Sequence, residues 1–68
     1  MNVTVNGKPA TMAEGATVAD VVRALTGVAE PRGVAVARCG AVVPRSAWSG
    51  TGLAEGDRIE VLTATQGG

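Results

Sequence analysis

The alternation of polar and apolar positions along the chain changes period twice. From Met1 to Val5, Val3 and Val5 alternate with Asn2 and Thr4, the period of two expected of a strand with one buried face. Asn6-Gly7 follows, a pair suited to a two-residue hairpin turn, and Lys8 to Met12 returns as the partner strand. Pro9 has no N–H to give to a ladder, so the partner is expected at an edge of the sheet. After Glu14-Gly15 the spacing lengthens: Val18, Val21, Val22 and Leu25 stand at i, i+3, i+4 and i+7, one stripe of a helix. Thr17 is placed to cap that helix by accepting from the backbone N–H of Asp20, whose carboxylate favours the positive helix N-terminus, and Gly27 suits a left-handed stop. Because β-branched valines are modest helix formers, packing must hold this helix.

Strand patterns then return. Gly33 to Ala37 reads as a buried strand, Cys39-Gly40 as a tight turn, and Ala41-Val42-Val43 as a short strand ended by Pro44. Arg45 to Leu53, rich in Ser, Gly and Thr, reads as irregular, and Glu55-Gly56-Asp57 turns the chain into a last strand, Arg58 to Leu62. There Ile59 and Val61 alternate with Arg58, Glu60 and Leu62, which places Leu62 on the face opposite the core. The expected core is Val3, Val5, Val21, Val22, Leu25, Val36, Ile59 and Val61, with Trp48, the only aromatic residue, as a cover at the core edge. One helix over one face of a small mixed sheet is an α+β arrangement.

Size and charge narrow what such a chain can do. Its 68 residues suffice for one small domain, 1–68, that buries only about 60% of the surface of the unfolded chain, so few apolar side chains are left to line a deep pocket. Six basic and six acidic residues cancel and are scattered, and there is no Phe or Tyr, which argues against a nucleic-acid partner. No stretch has the pattern of a signal peptide or a membrane span, and the single Cys39 cannot make an internal bridge, so a cytoplasmic protein without membrane association is expected.

Little catalytic chemistry is available. Without His there is no imidazole base and no Ser-His or Cys-His pair, and one Cys among scattered carboxylates does not make a metal set. Glu14, Glu55 and Asp57 each adjoin a glycine turn and read as solvated carboxylates. Thr63 and Thr65 read as strand and tail residues, and Cys39 as a passive turn residue. No catalytic residue, metal or bound cofactor is expected, and the chain is not expected to be an enzyme. What stands out instead is "TATQGG", Thr63 to Gly68, which closes on two residues without Cβ atoms.

The segments "MNVTVNGKP", "TVADVV", "VAVARCGAVVPRSAW" and "LAEGDRIEVLTATQGG", in this order and with the terminal Gly67-Gly68, resemble the ThiS family, the small sulfur carriers of thiamine biosynthesis. The resemblance covers nearly the whole chain. It implies a ubiquitin-like β-grasp fold, in which the last strand lies centrally beside the first and residues 64–68 form a flexible tail projecting from the middle of the sheet. It further implies that an E1-like adenylating enzyme of the ThiF type activates the Gly68 carboxylate with ATP. A sulfur donor then makes a thiocarboxylate for a thiazole synthase of the ThiG type, with Gly67 helping the tail to thread a narrow channel. Leu62, Arg45 and Arg58 are candidates for the partner interface. One departure from the family pattern is the second hairpin turn, usually Asn-Gly and here Cys39-Gly40, which puts the turn type and its register in question. Two alternatives share the fold: a MoaD-type carrier serving molybdopterin or another pathway, and a β-grasp binding module that carries nothing.

Overall fold

The computed structural model describes residues 1–28 and 31–63. Its elements are β1 (Asn2–Val5), β2 (Lys8–Thr11), α1 (Val18–Thr26), β3 (Val34–Arg38), β4 (Ala41–Val43), a 3₁₀ helix (Arg45–Gly50) and β5 (Arg58–Thr63). The strand order is β2-β1-β5-β3-β4. β5 therefore lies in the centre, parallel to β1 and antiparallel to β3, and β2 with its proline lies at an edge. The expected tail, residues 64–68 with Thr65, Gly67 and Gly68, lies outside the described residues.

Local chemistry accounts for the turns and the helix ends. Asn6 and Gly7 both take positive φ, 52° and 81°, and return the chain in register, Val5 opposite Lys8. Cys39 and Gly40 do the same at 50° and 88° and leave Arg38 opposite Ala41. The cysteine thus occupies the left-handed position that asparagine fills more readily, and the two-residue turn and its register are kept. At the start of α1, Thr17 Oγ1 accepts from Asp20 N at 3.3 Å while the Asp20 carboxylate accepts from Thr17 N at 2.9 Å, a reciprocal cap. Gly27 closes the helix at φ 84°, its N–H donating to Arg23 O at 2.7 Å.

The core joins Val18, Ala19, Val21 and Val22 of α1 to Val36, Val43, Ile59 and Val61 of the sheet and to Trp48. Val3 is buried, and Val5 is half-buried against the cluster. Three expectations are corrected. Leu25 is 51% exposed, because the last turn of α1 reaches the end of the sheet where β2 offers only the small Ala10; there it lines a shallow groove with Val5, Met12 and Val21. Trp48 is no edge cover but 1% exposed at the centre, with Nε1 donating to Val43 O at 2.9 Å. It gets there because residues 45–50, expected to be irregular, wind into the 3₁₀ helix. Thr51 O accepts from Val18 N at 3.0 Å and Ala16 O from Leu53 N at 2.9 Å, tying this segment to the start of α1.

The third correction is Asp57, expected to be solvated but only 7% exposed. Its Oδ2 accepts from Arg38 Nε and from Ala54 N, each at 2.8 Å, and Cys39 Sγ stands 3.7 Å from Oδ1. The arginine hydrogen bond, aided by the Ala54 N–H, holds this carboxyl below the usual carboxylate range against the opposing effect of burial. The other two turn carboxylates are exposed, although Glu55 Oε1 accepts from Asn2 N at 2.9 Å and Glu14 stands 3.7 Å from the Met1 amino group.

Candidate functional site

The helix covers one face of the sheet and leaves the other open. Residues directly opposite in a ladder share a face, so Val42, Ala37 and Glu60 form one row on the open side and Ala35 and Leu62 the next. Val42 is 78% exposed and Leu62 69%, with only methyl-sized side chains between them on β3. Two shallow depressions meet at Ala35 and Leu62, one extending towards Val42 and Glu60, the other towards Gly33 and Thr63. An apolar strip therefore crosses the open face and reaches Thr63, the last described residue of the central strand.

The sequence-predicted site residues distribute unevenly over this surface. Leu62 stands in the strip as its alternation with Ile59 and Val61 requires. Arg58 shares its face, opposite Thr4, but lies four residues earlier, about 13 Å along the strand. Arg45 is exposed at the start of the 3₁₀ helix, an element packed against α1 and not part of the strand face. Gly67 and Gly68 lie outside the described residues. Sequence reasoning missed Val42, Ala35 and Ala37. The one signal for the two alanines was their outward alternation in "VAVAR", which becomes legible as a patch with Val42 and Leu62 only once the registers with β4 and β5 are known.

At the opposite end of β5, Asp57, Arg38 and Cys39 form a small polar cluster that fixes the turn between β3 and β4 to the start of the central strand. Among the described residues, no three of His, Cys, Asp and Glu gather as a metal set would require, and no helix is long and apolar enough to cross a membrane.

A mixed sheet of this order, with its first and last strands parallel at the centre and one helix across one face, is the ubiquitin-like β-grasp fold. The ThiS family model matches residues 3–68. A crystal structure of the thiamine biosynthesis protein (ThiS) from Geobacter metallireducens is similar over the whole of both chains, with 41% identity and a TM-score of 0.78. A solution NMR structure of a thiamine biosynthesis protein from Geobacter metallireducens, also 41% identical, gives a TM-score of 0.80 over all of this chain and 88% of the other. A search of curated proteins returned no match. The chain belongs to the ThiS family.

Proposed function

We propose that this chain carries sulfur for thiazole formation in thiamine biosynthesis, with the Gly68 carboxylate as the reacting group. The observation that carries the reading is the extent of the family match, which runs through residue 68 and so takes in Gly67 and Gly68. The position of β5 supports it, since the central strand is paired on both edges and is the element that precedes those residues in the chain.

A carboxylate acylates nothing until one of its oxygens becomes a good leaving group. In the proposed cycle a Gly68 oxygen attacks the α-phosphorus of ATP in a ThiF-type adenylating enzyme, forming the acyl-adenylate and releasing pyrophosphate. A donor that delivers sulfur at the oxidation level of sulfide then attacks the carbonyl carbon, the bond to AMP breaks, and Gly68 is left as a thiocarboxylate. That sulfur, softer and more nucleophilic than the oxygen it replaces, passes to a ThiG-type thiazole synthase. Gly67 and Gly68 suit a narrow channel because they lack Cβ atoms. The strip of Val42, Ala35, Ala37 and Leu62 is the proposed docking surface for these enzymes, with Arg58 at its far end. All the chemistry is supplied by the partners; the chain contributes the carboxylate and its presentation.

Incubation with ATP, the cognate adenylating enzyme and a sulfur donor should change the intact mass by the replacement of one oxygen with sulfur, mapping to Gly68. Deleting Gly68 should abolish the change and leave the melting temperature nearly as it was. An unchanged mass for the wild-type chain, with an enzyme shown to be active on its own carrier, would overturn the reading.

A further inference from the structure

The side chain of Asn6 continues the β1 ladder after the main chain has left it. In the parallel pair, Thr4 N donates to Asp57 O and Asn6 N to Ile59 O, each at 2.9 Å, so the next two bonds of the ladder belong to Val61. The main chain of β1 does not make them, because Asn6 and Gly7 turn with positive φ and carry Lys8 away as β2. The Asn6 carboxamide stands in for it. Oδ1 accepts from Val61 N at 2.8 Å, the bond an Asn6 main-chain carbonyl would make in a continued ladder, and Nδ2 donates to Val61 O at 3.2 Å, the bond of the next strand N–H. A carboxamide has the donor and acceptor of a peptide group, which lets one side chain replace one repeat of strand.

The consequence falls at the end of β5. Glu60 and Leu62 pair with Ala37 and Ala35 of β3 on one edge, and Val61 is held by Asn6 on the other, so the strand is fixed on both edges as far as Leu62. Strand alternation directs the N–H and C=O of Thr63 towards the β1 side, one repeat beyond the carboxamide.

We infer that Asn6 is a positioning residue for the reacting carboxylate: by holding Val61 it ties β5 to the β1 edge two residues before Thr63, and so limits the region that the Gly68 carboxylate can sample in a partner's active site. This rests on the sulfur-carrier reading above. From Thr63 the five following residues span at most about 17 Å, and each strand residue released adds about 3.4 Å of slack. Slack spreads the carboxylate over a larger volume and lowers its effective concentration at the ATP phosphorus, with no change in the docking face.

The test compares wild type, Asn6→Gly and Asn6→Asp. Glycine keeps the positive φ and removes the carboxamide; aspartate keeps an acceptor for Val61 N and loses the donor to Val61 O. In Asn6→Gly, NMR hydrogen exchange at the Val61 amide should speed up by about tenfold while Val36 is unchanged. Adenylation by the ThiF-type enzyme with ATP should show kcat lower by about tenfold and KM for the chain within about twofold, the signature of mispositioning and not of lost docking. Asn6→Asp should fall between the two in both readouts, and it carries the comparison alone if the glycine variant does not fold. A variant with lost Val61 protection and wild-type kcat, or with lowered kcat and wild-type protection, overturns the inference. Absence of adenylation of the wild-type chain would sink the carrier reading and this inference together, whereas the exchange measurement needs no enzyme and separates the two failures.

Discussion

The two faces of β5 carry opposite duties on one backbone. On the helix side Ile59 and Val61 are 0% and 4% exposed and share a core with Val22 and Trp48. On the other side Arg58, Glu60 and Leu62 are exposed. Among the described residues one α-helix covers the sheet, so one face holds the fold and the other is left to solvent. Substitutions on the inner face should therefore be read in stability, and those on the outer face in binding.

The sharpest way to break that division is Trp48→Ala. Removing the largest fully buried side chain and its hydrogen bond to Val43 should cost about 3–5 kcal/mol, against roughly 5 kcal/mol or somewhat more in all for so small a domain. Urea melts should show the transition largely lost; a cost below about 1 kcal/mol would mean the core closes without the indole.

Asp57→Ala comes next, at about 1–3 kcal/mol, because it leaves the Ala54 N–H without its acceptor and takes away the partner of Arg38. The same carboxylate gives the fold an acid dependence. Its folded pKa is lowered, so its contribution is fully present above the ordinary unfolded value near ~3.9 and is lost as pH falls through the lower folded value. Thermal melts from neutral to strongly acidic pH should show the gap between wild type and Asp57→Ala closing over that window, and a gap independent of pH would remove the ion pair from the account.

Leu25→Ala should cost under about 1 kcal/mol, well below a core leucine, since half of the side chain is already in water. Smallest in stability is Leu62→Asp, within about 0.5 kcal/mol of wild type, yet calorimetric affinity for the adenylating enzyme should drop by about tenfold or more. Unchanged affinity with a normal circular dichroism spectrum would take Leu62 out of the interface and erase the division of duties on the outer side.

What was legible in the sequence was local. Asn6-Gly7, the Thr17 cap, Gly27 and the alternation through Ile59 and Val61 each depend on neighbours within a few residues, and each stands where its chemistry put it. The helical stripe was extended one turn too far at Leu25, because periodicity says which way a side chain points but not whether the sheet still lies beneath it. Asp57 was misread because its partner Arg38 is 19 residues away and meets it only through the β3–β5 register. Trp48 was misread because a 3₁₀ segment leaves no apolar period to follow. The outer strip depends on the same register, which placed Val42, Ala37, Ala35 and Leu62 in adjacent rows although no two of them are neighbours in sequence.

The parallel pairing of β1 and β5 also sets how the molecule bears mechanical force. A pull applied at Met1 and at Thr63 acts on the two central strands from opposite ends, so it draws them along each other and does not peel them apart. The bonds from Thr4 N and Asn6 N and the two from the Asn6 carboxamide lie across that direction and are loaded together in shear. Rupture then requires these and the other bonds of the pairing, Gly56 N to Asn2 O at 2.7 Å among them, to fail together, where an antiparallel hairpin pulled from its open end yields one bond at a time. Tension delivered through the end of β5 is thus met by a seam loaded in shear, and single-molecule extension should record one high, abrupt unfolding event in place of a series of small ones.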